Sequence, residues 1–431
     1  MKGPYTRKDS IDLVENRYFG PISDKQKEQS MSYSTEAVEL PVAAKPASLF
    51  PYYALVILAT CLSLYLALTC QPKGDEGGLY LPAFEQAFDK WPAIDMSPYW
   101  PISSVYLWII ALLQALTGDS FGTQFIRIGR IVSLLCWMAV VVDLLRTGRY
   151  QGFIVLFNPY VLIYAIRAHP FVPSILLFYL FWNLSRRNKV AGLFFLPFAV
   201  NFQVFMAGVV GLFMPPWPLH PTPVMRAFGL GLLVIVGVGL TFLTWGGIYP
   251  INFTKHHFYN HYQKTGSPTF AYVISVLLLA GMVFWVVGER SVAQIRHHAG
   301  YSLAVVGGVL LGSLFLFFTT DIIGIAREVS VGVMGRAHPY GWVGAYGLLG
   351  LGWLRLHRDH YMVFFGLLVS ALTLVSLHYF YERLSVFAFV APCLAWCLAG
   401  VAPGRRHSWL LPLICSIFLV CSILYQRYGS L

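Results

Sequence analysis

The chain has 431 residues, of which 57% are hydrophobic and only 11% charged, and its formal net charge is +11. A soluble domain carries about 25% charged residues, so a water-soluble globule of this length is excluded: there is too little polar surface to cover it. The excess of Lys and Arg fits loops held in the cytoplasm, and no basic stripe with interleaved aromatics points to nucleic acid.

Residues 1–47 are polar and rich in Ser and Lys, with Pro21, Pro41 and Pro46, and read as a flexible cytoplasmic tail. The tail is too long for the front of a cleaved signal peptide, so the apolar run 49–70 is expected to stay as an anchor. Residues 48–431 then form one transmembrane domain. A polar, acidic segment follows the anchor, within a long outer loop expected over 71–124. Inside that loop, 101–118 is apolar but short. Counting it as a span would invert everything downstream, so a helix lying at the outer membrane surface is predicted.

Further spans are predicted near 125–145, 150–166, 171–185, 189–202, 204–218, 226–246, 268–288, 299–319, 338–354, 361–377, 384–401 and 408–425. With the anchor this makes about thirteen transmembrane helices in an all-α polytopic membrane protein. The runs are continuous rather than alternating, which favours helices over a barrel. With the N-terminus in the cytoplasm, Arg146/Arg149, Arg186/Arg187/Lys189, Arg226, Arg290/Arg296, Arg355/Arg358 and Arg405/Arg406 all fall on the cytoplasmic side, as the positive-inside rule asks. The spans 189–202 and 204–218 are short and share a polar turn at Asn201 and Gln203, as in a re-entrant pair. Most of the seven cysteines sit in apolar runs. Cys393 and Cys397, one helical turn apart, read as small buried hydrophobes, and no zinc spacing occurs.

The residues with chemistry gather on the predicted outer face. Asp75 and Glu76 open the first outer loop. Adjacent carboxylates repel, which favours one of them as a base; the plainer reading is a solvated acid pair. Arg-Ala-His-Pro-aromatic occurs twice, at Arg167–Phe171 and Arg336–Tyr340. Arg167, His169, Arg336 and His338 thus form a candidate phosphate clamp at the membrane interface, against the simpler reading of basic residues snorkelling at span ends. Tyr379 and Arg383 lie in a further cluster, His378–Arg383. The loop Asn252–Lys264 carries His256, His257 and His261, but HHxxxH without carboxylate support is a poor metal site. Asp321, Arg327 and Glu328 make a fifth polar group. Asn252-Phe-Thr is a sequon, meaningful only where the host glycosylates that face.

The order of these features resembles the GT-C superfamily of membrane glycosyltransferases, closest to members that use polyprenyl-phosphate sugars, such as aminoarabinose and protein mannosyl transferases. The resemblance rests on Gly-Asp-Glu after the anchor with Tyr80 four residues beyond Glu76, the run PYWPISSVYLWIIALLQALTG, and FIRIGRIVSLL opening the next span. It rests further on NPYVLIYAIRAHPFVPSILLF, on the short pair 189–218, and on YERLSVFAFVAP. It covers most of 49–400. Trp100-Pro101 replaces Pro-Pro, Leu384 stands where Tyr is usual, and Gln203 where Lys is frequent.

The resemblance implies a GT-C-like bundle that transfers a sugar from a polyprenyl-phosphate lipid to an acceptor hydroxyl at the outer, periplasmic or luminal, face. Asp75 would act as base, and Glu76 would orient the acceptor or bind a cation. Arg130, Arg167, His169, Arg336, His338 and Arg383 would face the donor phosphate. Tyr80, His256, His257 and Tyr379 would line the acceptor side. The expected partners are the lipid-linked sugar, a glycan, lipid or protein acceptor, and membrane lipid. Some family members need a divalent metal and others do not, so no metal ligand is assigned. A lipid or glycan transporter, or a non-catalytic glycan-assembly component, shares the composition, although no internal repeat beyond the short echo supports a two-halved transporter.

Overall fold

A computed structural model describes residues 49–72, 76, 80–89, 103–117, 123–187, 189–211, 222–245, 269–288, 299–318, 347–355, 361–372, 382–399 and 410–428. Every regular element among them is helical. α1 (Phe50–Thr69) starts with a proline in its first turn, where the missing N–H costs nothing, and ends where Cys70 turns extended. α2 (Leu81–Asp89) and α3 (Ser104–Thr117) follow, then α4 (Thr123–Thr147). Phe50–Thr69 and Gln124–Thr147 are long and apolar enough to cross a membrane.

The segment 150–166 is not the single helix that its hydropathy predicts. A 3-10 turn (Tyr150–Gly152) leads into α5 (Phe153–Leu156), the chain breaks at Phe157–Asn158, and α6 (Pro159–Ala165) resumes. Pro159 has no N–H to give to the preceding turn and pushes its neighbour out of helical backbone; Asn158 accordingly has ψ 135°. Polar groups left at the break are satisfied locally. The Asn158 side chain accepts from the Tyr160 N–H at 3.0 Å, and Trp137 donates its indole N–H to the Leu156 carbonyl at 3.0 Å.

α7 (Phe171–Arg186) and α8 (Ala191–Phe202) pack together, and α7 also packs on α4. After an extended Gln203 the chain forms a 3-10 helix, Val204–Gly211, which lies against α12 (Tyr361–Leu372). The approach is close because Gly208 lacks a side chain: a Cβ there would meet the Ser370 hydroxyl and the Gly366 carbonyl well inside van der Waals distance. The remaining helices are α9 (Pro223–Trp245), α10 (Thr269–Val287), α11 (Ala299–Phe318), α13 (Glu382–Leu398) and α14 (Leu410–Tyr428). Of the expected span 338–354, residues 347–354 are described, and the segment ends in a 3-10 turn, Leu351–Arg355.

Two apolar clusters organise these helices. The larger runs through α1 and α4–α14, around Trp137, Phe157, Phe178, Phe284 and Phe387. The smaller joins α2 and α3 to the start of α4 and to Ala168, around Phe84, Tyr106, Leu107 and Phe125. Thus the apolar run 101–118 contains α3, a helix of 14 residues. At 1.5 Å per residue it is about 21 Å long, short of a hydrocarbon core of roughly 30 Å. It buries Tyr106, Leu107, Ile110 and Ala111 and leaves Ile109, Leu112 and Leu116 exposed. Other helices also keep uncovered apolar faces, as at Phe228 (68% exposed), Ile235 (66%) and Leu303 (75%).

Candidate functional site

The site is built where α1 ends. The last carbonyls of a helix have no partner inside it, and cationic side chains suit that end. Arg130, two turns into α4, fills the role. Its Nη1 donates to the carbonyls of Ala67 at 3.1 Å and Cys70 at 2.6 Å, and its Nη2 to Gln71 at 3.2 Å. The same guanidinium grips Glu76 as a fork, Nε to Oε1 at 2.9 Å and Nη2 to Oε2 at 2.7 Å. A guanidinium has five N–H donors, and these five bonds engage all of them. Both side chains are nearly inaccessible, with exposures of 4% and 3%.

Glu76 also accepts the backbone N–H of Ala168, with Oε1 at 2.8 Å. This bond ties the first Arg-Ala-His-Pro loop, between α6 and α7, to the end of α1. The approach depends on Gly129, the residue before Arg130: a Cβ there would lie 2.6 Å from the Ala168 Cβ. Ser133, one turn further along α4, donates to the His169 carbonyl at 3.3 Å.

His169 is buried in a ring of aromatics. Its centroid lies 5.2 Å from Tyr80, 4.6 Å from Tyr164 and 5.7 Å from Phe387. Nδ1 accepts from the Phe171 N–H at 3.1 Å and so caps the first turn of α7. An acceptor at Nδ1 assigns the neutral tautomer with its proton on Nε2. Arg167, two residues earlier, lies 5.6 Å over the Tyr164 ring, a cation–π contact. Tyr106 of α3 is fully buried beside this joint. Burial pushes its phenol above the ordinary range. Its hydroxyl has no partner among the described residues; the neighbouring Ser133 hydroxyl is turned to His169 instead.

The polar turn between the short helices is tied into the same region. Asn201 accepts from the Ser103 hydroxyl at 2.8 Å and donates to the Gly237 carbonyl at 3.4 Å. Ser103 in turn caps α3 by accepting the Tyr106 N–H at 3.3 Å.

Of the sequence-derived residues, Glu76, Tyr80, Arg130, Arg167 and His169 therefore gather around the end of α1 and the loop 166–170. Arg383 lies in the first turn of α13, one turn before Phe387; its side chain is outside the described residues. Asp75, His256, His257, Arg336, His338 and Tyr379 also lie outside them, and with them the expected convergence of the second Arg-Ala-His-Pro copy on Asp75. Gly129, Ser103 and Ser133 were not among the sequence-derived residues, and Asn201 was singled out only as part of a polar turn. Ser103 was findable as a Ser just before an apolar helix. Gly129 had only its place inside Arg-Ile-Gly-Arg.

Glu76 was expected to orient the acceptor or bind a cation, and Arg130 to meet the donor phosphate. Their contacts in this structure include each other, carbonyls at the end of α1 and the Ala168 N–H. No group of three metal-ligating side chains occurs among the described residues. The arrangement is an all-helical bundle with a buried ion pair fastening three separate segments at one end. The chain matches no family model, no curated protein and no solved structure.

Proposed function

We propose that the chain is a multi-pass GT-C-like membrane glycosyltransferase that moves a sugar from a polyprenyl-phosphate donor to an acceptor hydroxyl at the outer face. The observation that carries this reading is the Glu76–Arg130–Ala168 joint. It links three of the segments on which the resemblance rests, Gly-Asp-Glu, Phe-Ile-Arg-Ile-Gly-Arg and Arg-Ala-His-Pro, which are far apart in sequence. The uncovered apolar faces support a membrane setting, and the arginine pattern of the sequence supports about thirteen crossings with the N-terminus and the arginine clusters in the cytoplasm.

In this reading Asp75, the neighbour of Glu76 in sequence, takes the proton from the acceptor hydroxyl. The freed oxygen attacks the anomeric carbon as the carbon–oxygen bond to the phosphate breaks, and the phosphate leaves with the electron pair. Arg167 and the second basic loop, Arg336 and His338, supply positive charge to the leaving phosphate. Glu76 and Arg130 hold the end of α1 and the loop 166–170 in place for this chemistry.

The test is turnover by purified protein offered a panel of polyprenyl-phosphate sugars. Asp75→Asn keeps size and hydrogen bonding but cannot take the proton, so it should lower turnover by about 10²- to 10⁴-fold while donor binding stays near normal. Unchanged turnover in Asp75→Asn would refute the assignment. The helix break at Asn158–Pro159 favours a second reading, a lipid or glycan transporter, since discontinuous helices serve such proteins. Movement of labelled lipid across proteoliposomes with no acceptor present would select it.

A further inference from the structure

A groove of about 330 Å³ runs between α1 and α4, far along both helices from the Glu76 joint. Its walls include Tyr53, Ile57, Cys61, Met138, Val142 and Arg146. Tyr53 lies near the start of α1 and Arg146 near the end of α4, so the two polar side chains mark one end of an apolar trough. Ile57 and Val142 are exposed apolar surface (63% and 40%), and Tyr53 is 48% exposed.

The charge around that end is unbalanced. Arg149 donates to the Asn183 side chain at 2.6 Å, and Arg186 donates to the Leu398 carbonyl at 2.5 Å. Both partners are neutral. Asp143 is the acid in this group, and it accepts the Tyr179 hydroxyl at 2.5 Å. Arg187 is exposed nearby in sequence. Among the described residues no carboxylate forms an ion pair with Arg146, Arg149, Arg186 or Arg187.

We infer that this groove binds an anionic glycerophospholipid of the cytoplasmic leaflet, one acyl chain along α1 and α4 and the phosphate at Arg146 and Tyr53. An apolar trough ending in a cation matches a lipid in both shape and charge. A second helix from a partner would need its own acid at this point and gains nothing from the neighbouring arginines. The cytoplasmic leaflet also carries most of the anionic lipid that arginines at a membrane surface attract. The inference rests on the membrane-spanning reading of α1 and α4, but not on the transferase chemistry.

The experiment is native mass spectrometry of the full chain released from nanodiscs of equal parts phosphatidylglycerol and phosphatidylcholine. The wild type should retain one phosphatidylglycerol in preference to phosphatidylcholine. Arg146→Gln should lower that preference by about five-fold, the factor that one cation near an anionic surface carries. Arg146→Lys should keep much of it. Val142→Trp, which fills the trough and leaves the charges in place, should lower retention of both lipids. Arg187→Gln should change little, since Arg187 does not line the groove. Equal retention of the two lipids, or equal losses in Arg146→Gln and Arg187→Gln, would overturn the site and leave the membrane reading intact. Failure of the wild type to enter nanodiscs at all would overturn both.

Discussion

Arg130 is a case of a charged residue whose role is decided by how many of its donors are already used. Its fork meets Glu76 and its other N–H groups meet the end of α1. Removing one member of a buried pair leaves the other charge without compensation, which typically costs about 3–5 kcal/mol. Arg130→Ala should therefore lower the thermal midpoint of the purified protein sharply. Glu76→Gln should also destabilise, because the amide NH2 that replaces one oxygen faces an Arg130 N–H. Removing both charges should cost less than the sum of the single changes, and a double-mutant cycle on thermal unfolding checks this. Strict additivity would show that the pair contributes nothing as a pair. Asp75→Asn, by contrast, should lose turnover with the midpoint unchanged. The sequence marked Glu76 and Arg130 as candidate site residues but not that they meet each other. They are 54 positions apart, and no local pattern reports which charge will meet which. His169 was similarly visible as a basic residue before a proline, whereas its capping of α7 depends on the ring's orientation in the fold.

Helices were legible where apolar runs are long and their ends are marked by polar or proline residues. The expected run 125–145 is α4, 171–185 is α7, and 268–288 is α10. The segment 150–166 was misread because hydropathy averages over a window, and the average is blind to a single missing N–H. The break at Asn158 then gives a test of its own. Asn158→Ala removes the side-chain acceptor from the Tyr160 N–H and should cost about 0.5–2 kcal/mol, while Asn158→Ser should recover most of it. Chemical denaturation of the two variants against the wild type measures the difference, and equal stability of the two would argue that the proline alone sets the break. Packing between α4 and the loop 166–170 gives another. Gly129→Val would put a branched side chain where even a Cβ lies 2.6 Å from Ala168. Overpacking of this kind costs typically 1–3 kcal/mol, so Gly129→Val should lower the thermal midpoint. Half-buried Gly231, which has open space around its Cβ position, should accept Ala with little change.

For the molecule as a whole, composition is the strongest signal. A chain with so few charges needs an apolar solvent, and the uncovered faces of α1, α9 and α11 are where such a solvent would lie. Composition cannot tell how those helices are oriented across a bilayer. That part rests on the arginine pattern, and cysteine labelling tests it. A cysteine at position 187, an exposed site just after α7, should label only after the membrane is permeabilised. Cysteines at positions 75 and 255 should label from outside. Outside labelling at 187 would reverse the topology and move the proposed active site to the other face. The meeting of residues 76, 130 and 168 was hidden at this scale too, since it depends on tertiary packing between segments that hydropathy treats one at a time.

That meeting has a consequence for how the protein is made. Its parts leave the ribosome in a fixed order, first the end of α1 with Glu76, then Arg130, and last Ala168. A nascent chain stopped near residue 120 holds the acid without Arg130. One stopped near 150 holds both charges but lacks the N–H that Ala168 gives to Glu76, and one stopped near 190 has all three. Survival of truncated chains in the cell should therefore rise in steps at those lengths rather than smoothly with length. Pulse-chase decay of the three truncations reads the steps directly, and indistinguishable half-lives would show that the joint closes only when the rest of the bundle is present.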